Sequence, residues 1–287
     1  MAVAVRPAGT DTEQLPRTVG GREAAPEEWR EWSEEPGHDL VATDGGRAVG
    51  GIHVSVVGQT EAWMEAIRVH PEAQGRGIAG QLVREAEGVA RRYGAAVMRT
   101  AIPVHEYSAV AVAERAGYRQ VFRAVVLETD VPTGPPHVPY DAPVEQPRPE
   151  QTPAVLRFLE RTQTVQAWEK LVPLGWRFRR LIPELVRGLI KDHRTALALR
   201  PERSEDPQAC VLFARHEDAY IISTIDGSPS GMQAVFGEVV EQAQGHAGRV
   251  VVFTPDHELL APLAVREWRH HPWCPEGLIV VQKNLAS

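Results

Sequence analysis

A proline-rich segment divides this chain of 287 residues into two halves of similar length. Residues 131–153 read VPTGPPHVPYDAPVEQPRPEQTP. Proline fixes the φ angle and has no amide hydrogen to donate, so such a segment forms neither a helix nor an inner strand of a sheet. We therefore predict two domains, residues 1–135 and 154–287, joined by a semi-rigid linker at 136–153.

The composition argues against several classes of protein. Hydrophobic residues make up 43% of the chain and charged residues 24%, which is typical of a globular protein with a substantial core. The net charge of -7 argues against a nucleic-acid partner, which needs a basic surface. No apolar run approaches about 20 residues and no signal-peptide pattern is visible, so we expect no membrane partner. The two cysteines, Cys210 and Cys274, favour a reducing cytoplasm.

The first half shows a regular order of strand and helix patterns. DLVATDGGRAVGGIHVSVVG predicts a hairpin that turns at Asp44-Gly45-Gly46, and TEAWMEAIRV predicts the next strand. Residues 78–93 predict an amphipathic helix, whose apolar face is formed by Ile78, Leu82, Val83, Ala86, Val89, Ala90 and Tyr93. Parts of residues 10–32 also look helical. A strand, a helix that ends at Gly117 and a last strand follow.

The second half repeats this order without clear sequence identity, which predicts a duplicated domain. Helices are predicted over TPAVLRFLERTQTVQAWEKL, FRRLIPELVRGLIK, MQAVFGEVVEQAQ and HELLAPLAVREW. Strands are predicted over TALALRP, ACVLFARH, AYIISTID, RVVVFTP and GLIVVQKNL. The fold class is therefore α/β (α+β), with each domain a mixed, mostly antiparallel twisted sheet flanked by helices. Because the first half is one strand short, we expect the second half to complete its sheet.

A loop rich in glycine lies between a strand and a helix in VHPEAQGRGIAGQL, residues 69–82. A helix N-terminus offers free N–H groups and a positive dipole end, and glycine lets an anion approach the backbone, so the loop predicts a phosphate site. A P-loop does not fit, because Gly77-Ile78-Ala79 lacks the lysine and the hydroxyl. The loop formally matches G-x-G-x-x-G, but it stands too far from its strand for a nucleotide-dependent oxidoreductase, which stays a weak alternative.

These residues resemble the acyl-CoA N-acyltransferases of the GNAT superfamily. Gln74-Gly75-Arg76-Gly77-Ile78-Ala79 is similar to the Q/R-x-x-G-x-G/A motif of that family. EAIRVHPEAQ resembles its fourth strand, and AVAVAERAGY resembles its helix that ends in Glu-x-x-Gly-Phe/Tyr. The resemblance covers roughly residues 38–128 and implies two GNAT-like domains. It implies acetyl-CoA or another acyl-CoA as the acyl donor.

The resemblance also implies which backbone groups hold the acyl-CoA. The loop residues that would surround its pyrophosphate are Gln74, Gly75, Arg76, Gly77, Ile78, Ala79 and Gly80. The strand residues whose backbone would pair with its pantetheine amides are Ile67, Arg68 and Val69. The Arg76 guanidinium offers a phosphate a charge-assisted hydrogen bond, although a solvated loop arginine is an equal alternative.

Amine acetylation needs a base, because an ammonium group must lose a proton before it can attack a thioester. Relatives carry acidic residues on the fourth strand, where Glu65 lies, so Glu65 is the candidate general base. A solvent-facing position stays open, since Trp63, Glu65 and Ile67 share one face of a regular strand. The family's usual tyrosine, which protonates the leaving thiolate, falls on Ala113, so no general acid is assigned.

No sequence motif assigns a role to the remaining polar residues. The frequent asparagine of the family falls near Glu106, and Tyr107, His105 and His53 are close to the predicted site elements. In the second half, STIDGSPSGMQAVF replaces the glycine loop, so we expect a degenerate domain whose Ser228 caps a helix. His270, His271 and Cys274 have no further ligand at a recognisable spacing, so we expect no metal site.

We expect a cytoplasmic N-acetyltransferase that moves an acetyl group from acetyl-CoA to a primary amine of a small molecule. The alternative is a non-catalytic acyl-CoA-binding sensor or scaffold protein, which Ala113 favours. The sequence names neither the acceptor nor the preferred acyl chain, and it leaves a homodimer open.

Overall fold

A computed structural model describes residues 3–8, 37–57, 60–131, 143–200, 203–216, 218–263 and 267–285. Its chain forms two compact units. Unit 1 comprises Met1–Ile102, Glu106–Gln120 and Val280–Ser287, and unit 2 comprises Pro103–His105 and Val121–Ile279. The helices predicted within residues 10–32 lie outside the described residues. No helix in the described part of the chain is both long and apolar enough to span a bilayer.

Unit 1 is built on a mixed sheet with helices. Its strands are β1 (Ala4–Pro7), β2 (Gly37–Asp44), β3 (Arg47–Val56), β4 (Glu61–Val69) and β5 (Val97–Pro103), and its helices are α1 (Ile78–Arg92) and α2 (Tyr107–Arg115). Antiparallel pairs join β1 to β2, β2 to β3 and β3 to β4, and β4 pairs with β5 in parallel. The predicted two-residue turn is confirmed: Gly45 and Gly46 both adopt positive φ between β2 and β3.

Helix α1 packs across β2, β3 and β4 through the predicted apolar face. Leu82, at its centre, is fully buried and lies above Gly50 of β3, where an added Cβ would come within 3.3 Å of the leucine. The assignment of Tyr93 to this apolar face is wrong, because Tyr93 follows the last helical turn and is 55% exposed. Gly94 ends the helix with a φ of 83°, a conformation that favours glycine.

Unit 2 contains the rest of the elements. Its strands are β6 (Arg119–Asp130, from residue 121), β7 (Val144–Glu145), β8 (Leu171–Leu174), β9 (Arg177–Arg180), β10 (Thr195–Arg200), β11 (Arg203–His216), β12 (Ala219–Gly227), β13 (Arg249–Thr254) and β14 (Arg269–His270). Its helices are α3 (Thr152–Leu159), α4 (Gln163–Ala167), α5 (Pro183–Lys191) and α6 (Pro229–Ala243). The last strand, β15 (Leu278–Asn284), starts in unit 2 and enters unit 1 at Val280.

Three predicted helices of the second half are wrong in part. The helix predicted over residues 152–171 divides into α3 and α4, and Leu171 already belongs to β8. The helix predicted over FRRLIPELVRGLIK begins only at Pro183, because Arg177–Arg180 form β9 in a hairpin with β8. The helix predicted over residues 257–268 is a 3-10 turn, His257–Leu260, within the described residues. Pro262 explains its early end, since proline has no N–H to continue a helix.

Both units share one order of strand pairing. In unit 2, β10, β11 and β12 pair antiparallel, α6 packs on them, and β12 then pairs in parallel with β13. This repeats the order β2, β3, β4, α1 and β5 of unit 1, which supports the predicted duplication. The fold is therefore α/β, with mostly antiparallel mixed sheets flanked by helices.

The last strand of each sheet comes from the other half of the sequence. Residues 125–130 of β6 pair antiparallel with β13 in unit 2, and β15 lies beside β5 in unit 1. The completion of the first sheet by the second half agrees with the expectation from the sequence. It also means that the units do not simply follow the two halves of the chain.

A buried ion pair attaches the last strand to unit 1. The Nζ atom of Lys283 lies 2.8 and 2.9 Å from the two carboxylate oxygens of Glu87 on α1, a carboxylate that Arg91 also contacts at 3.3 Å. Glu87 is almost fully buried, so its charge requires these cations. Neighbouring Tyr118 is buried as well, and burial and Glu87 together raise the pKa of its phenol.

Candidate functional site

A bulge bends β4 at the centre of unit 1. Ala66 has a φ of 56°, and the pairing with β3 shifts there: Glu65 lies opposite His53, but Arg68 lies opposite Gly51. A non-glycine residue in this conformation costs on the order of 1–3 kcal/mol and tends to occur at functional sites. The shift also corrects the predicted alternation, because Arg68 rather than Ile67 returns to the face of Glu65.

Beyond this region β4 and β5 separate. The two strands pair only where Glu61–Trp63 lie beside Val97–Arg99, although β4 continues to Val69 and β5 to Pro103. Residues 67–69, predicted to pair with pantetheine, lie in the part of β4 that has no partner in β5. Backbone N–H and C=O groups at such an opening need other hydrogen-bonding partners, as an extended ligand provides.

The glycine loop leads from β4 into α1. Gly75 and Gly77 have φ angles of 75° and 76°, and a Cβ atom on either would meet no other atom within 4 Å. The glycines are therefore required by the backbone conformation, and the space beside them is open. Gly77 caps α1 without a side chain, so the first-turn N–H groups of Ile78, Ala79 and Gly80 receive no capping bond from it. Together these features fit a bound pyrophosphate.

Three polar side chains near the loop are already engaged. Arg76 Nη2 lies 2.8 Å from Asp44 Oδ2 on the β2–β3 turn, so the guanidinium, for which the sequence left a phosphate contact and a solvated position as equal alternatives, is paired with a carboxylate. Gln74 Nε2 donates to the carbonyl oxygen of Val69 at 3.2 Å, which ties the loop to the end of β4. Arg68 Nη1 donates to the carbonyl oxygen of Ile67. The backbone of the loop is thus better placed for an anion than these side chains.

Glu65 lies on the face of the sheet opposite α1. The strand register gives this face, since His53, directly opposite Glu65, alternates with Ile52 and Val54 on the buried strand β3. Desolvation by burial raises the pKa of Glu65 from 4.5 to about 8, and Asp39 adds to this shift, while hydrogen bonds with Trp63 and Ser55 lower it. The side chain keeps 16% of its surface exposed. A carboxyl group that titrates near neutral pH is suited to accept a proton from an ammonium ion.

A row of polar side chains continues from Glu65 across the sheet. His53 Nδ1 lies 2.8 Å from Asp39 Oδ1, and His53 Nε2 lies 3.0 Å from Ser55 Oγ and 4.0 Å from Glu65 Oε1. Sequence reasoning noted His53 but missed this cluster. The signal was available, because residues 53 and 55 share one face of β3 and a tight β3–β4 connection would place residue 65 opposite residue 53.

Helix α2 has no acid at the position of the family's tyrosine. Ala113 is 4% exposed and packs into unit 1. Glu106 precedes the helix as its N-cap residue, and Tyr107 is 73% exposed. Residue 113 of this helix therefore offers no general acid.

The corresponding place in unit 2 is closed by its own side chains. Ser228 Oγ accepts a hydrogen bond from the N–H of Gly231 and so caps α6, as predicted. A Cβ on Gly227 would come within 2.3 Å of the Gln208 carbonyl oxygen, and one on Gly231 within 2.8 Å of Ala209 Cβ. Gly227 and Gly231 are required for close packing, whereas Gly75 and Gly77 of unit 1 border open space. Among the described residues, no three His, Cys, Asp or Glu side chains are grouped to bind a metal ion.

Comparisons with known proteins agree with this geometry. The model of the acetyltransferase (GNAT) family matches residues 9–118. A search of curated proteins gives no significant match. Among solved structures, a GCN5-related N-acetyltransferase from Sphaerobacter thermophilus is 17% identical with a TM-score of 0.67, and the match covers 99% of this chain and 96% of that one.

Two further structures extend the likeness. A tandem GNAT protein from the clavulanic acid biosynthesis pathway is 13% identical with a TM-score of 0.60, covering 100% of this chain and 99% of that one. A GCN5-related N-acetyltransferase from Kribbella flavida is 13% identical with a TM-score of 0.56, covering 99% of this chain and 72% of that one. At these identities the likeness concerns the fold, and it extends over both halves of the chain.

Proposed function

Because the model of the GNAT acetyltransferase family matches residues 9–118 of this chain, we propose that the protein is an acetyl-CoA-dependent N-acetyltransferase. The acceptor is a primary amine of a small molecule, and acetyl transfer is direct. The observation that carries this proposal is the combination of an open glycine loop at an uncapped helix start with a buried carboxyl group on the adjacent strand. We also propose a cytoplasmic location, which the two free cysteines support.

The glycine loop is the anion-binding part of the proposed site. The backbone N–H groups of Gly75, Arg76, Gly77, Ile78, Ala79 and Gly80 would hold the pyrophosphate, and the backbone of residues 67–69 would hold the pantetheine arm. When bound, acetyl-CoA supplies the acetyl thioester. The fit rests on the positive φ angles, the open space beside the loop and the separation of β4 from β5.

Glu65 is the proposed general base. Its ionised form accepts a proton from the ammonium group of the acceptor, which turns the amine into a nucleophile. The neighbouring carboxyl of Asp39 adds negative charge to this face, which favours a cationic acceptor. General base catalysis typically contributes about 10²–10⁴-fold to a rate.

A second candidate function is that of an acyl-CoA-binding sensor without catalysis. Ala113 is the observation that favours it, because an alanine at the position of the family's tyrosine has no group to protonate a leaving thiolate. Such a protein would bind acetyl-CoA in the same loop but would not release CoA in the presence of amines.

The first experiment is calorimetric titration of the protein with acetyl-CoA. We expect micromolar binding by the native protein and its loss in Gly77→Glu, which places a carboxylate where the pyrophosphate would lie. Gly245→Glu is the matched control, since Gly245 has the same φ of 76° and open space but follows α6 in unit 2. Equal loss in both variants would reflect strain alone.

The second experiment screens amines for release of CoA thiol. Release by the native protein together with a loss of about 10²-fold or more in Glu65→Gln would support the enzyme. Tight acetyl-CoA binding without release from any amine class would favour the sensor. Absence of binding by the native protein would refute both functions.

A further inference from the structure

Asp39, His53 and Glu65 form one continuous row across three neighbouring strands. Asp39 on β2 lies opposite His53 on β3, which in turn lies opposite Glu65 on β4. Directly opposite residues on one face of an antiparallel sheet bring their side chains within contact distance. His53 is 1% exposed, while the Asp39 carboxyl keeps 15% of its surface exposed. The row therefore runs from a buried imidazole to a partly exposed carboxylate.

The chain makes room for the His53 ring by means of a glycine. Gly37, at the start of β2, lies opposite Ser55 on the same face. A Cβ on Gly37 would come within 2.7 Å of both Cε1 and Nε2 of His53. Any side chain at this position would displace the imidazole, so the glycine fixes the ring between Asp39 and Ser55.

Hydrogen bonds connect the whole row. His53 Nδ1–H donates to the Asp39 carboxylate at 2.8 Å, which leaves Nε2 as the atom facing Ser55 Oγ at 3.0 Å. Ser55 also shares a hydrogen bond with Glu65. The serine hydroxyl consequently lies between the imidazole and the carboxyl group of Glu65.

This arrangement has two protonation states with the same number of protons. In the first, protonated Glu65 donates to Ser55 Oγ, and the Ser55 hydroxyl donates to neutral Nε2. In the second, Glu65 is ionised and accepts from Ser55, and the imidazolium Nε2–H donates to Ser55 Oγ. Conversion breaks the Glu65 O–H bond and forms the Nε2–H bond, while the serine accepts one proton and releases its own.

We propose that Asp39, His53 and Ser55 form a proton relay that removes the proton from the Glu65 carboxyl group and so leaves Glu65 ionised. This inference rests on the proposed function, since it assigns a role around the same base. The Asp39 carboxylate stabilises the imidazolium and forms the outer end of the relay. The relay explains how a carboxyl group that is mainly protonated at neutral pH serves as a base there.

Other charged groups also lie on this face of the sheet, among them Arg6 of β1, which is opposite Val41 of β2. Glu61 of β4 lies 2.9 Å from Arg99 of β5, which is buried and also donates to Gln282 at 3.0 Å. Arg68 lies on the same face through the bulge register. His38 of β2 points to the opposite face, where it stacks on Tyr93 at 4.5 Å.

The decisive test is a pH profile of Ser55→Ala, which removes one hydroxyl and little volume. We expect kcat to fall about tenfold at pH 7, with the Kd for acetyl-CoA within about twofold of native. The loss must shrink above pH 9, because Glu65 then ionises without the relay. A loss that stays constant with pH would show a structural role and overturn the proposal.

His38→Gln is the control for histidine removal from the neighbouring strand and should keep the native rate, whereas His53→Gln should lose about 10- to 100-fold.

A second readout does not depend on activity. Imidazole ¹⁵N resonances of His53, assigned with His53→Gln, are followed against pH in the native protein and in Glu65→Gln. The relay predicts that the His53 ¹⁵N resonances of the native protein change as Glu65 ionises near pH 8 and that this change is absent from the variant. Identical curves would overturn the relay. Failure of the proposed function would appear separately, as absence of acetyl transfer by a native protein whose His53 resonances still report the ionisation of Glu65.

Discussion

Glu65 makes the stability of the folded protein depend on pH. Its pKa is 4.5 in the ordinary state and about 8 in the folded protein, so the folded state holds the proton more tightly than the unfolded state. Stability from this group is complete below pH 4.5 and is lost as the pH rises towards 8. We expect Glu65→Gln to stabilise the protein by about 3 kcal/mol at pH 7 and by little at pH 4.

Urea unfolding at several pH values measures this effect. The native protein should lose stability between pH 5 and 8 relative to Glu65→Gln. Activity should change in the opposite direction, because kcat/KM of the native protein rises towards pH 8 as the base ionises. Parallel stability curves for the two proteins would contradict the assigned environment of Glu65.

The guanidinium of Arg76 in the glycine loop is paired with Asp44, and this contact competes with a contact to phosphate. Both side chains are partly exposed, at 44% and 22%, so their pair is worth at most about 1 kcal/mol. We expect Asp44→Asn to bind acetyl-CoA about 3- to 5-fold more tightly, since it frees the guanidinium and removes a negative charge near an anion site. Calorimetry at low and high salt measures this affinity for acetyl-CoA, with Glu72→Gln as the control for charge removal. Unchanged affinity would mean that Arg76 does not reach the phosphate.

Single residues show how much one sequence by itself can reveal. The loop glycines were found because the chemistry of a positive φ angle and of a helix start is local. His53 was not assigned because its role arises from strand register, a property of the assembled sheet. The bulge at Ala66 was likewise invisible, since alanine carries no preference for a positive φ angle.

At the scale of elements, the packing of helix α2 allows a prediction for Ala113, which stands at the position of the family's tyrosine. Ala113 is buried, so a tyrosine there would have to displace neighbouring atoms. We expect Ala113→Tyr to destabilise the protein by about 1–3 kcal/mol without a gain in acetyl transfer. Thermal unfolding and the amine screen measure both quantities. A higher kcat in Ala113→Tyr would instead show that the family's acid can be restored.

The elements that the sequence predicted well have a strong period and clear ends. Residues 78–92 form a helix because an apolar stripe, basic last-turn residues and Gly94 all agree. The same apolar spacing predicted a helix over residues 257–268, but the chain forms only a 3-10 turn before Pro262. The hairpin of β8 and β9 was missed because Gly175 follows a short apolar strand that periodicity alone cannot distinguish from a helix.

At the scale of the whole molecule, the exchanged strands predict that the halves do not fold separately. A fragment of residues 1–135 keeps Arg91 beside the buried Glu87 carboxylate but lacks β15 and with it Lys283, and removing one partner of a buried ion pair costs about 3–5 kcal/mol. We expect this fragment to show no cooperative unfolding and no acetyl-CoA binding. The same fragment fused to residues 278–285 through a flexible linker should recover both. A fragment 1–135 that binds with native affinity would contradict the exchange.

The position of Val280–Asn284 in unit 1 has a consequence for the order of events on the ribosome. Domains usually fold as their sequence emerges, at about 5–20 residues per second. The strand β5 is made early, but its neighbour β15 follows only after roughly 10–40 s of further translation at that speed. Through that interval the nascent chain presents an open β5 edge, the kind of surface that pairs with foreign strands.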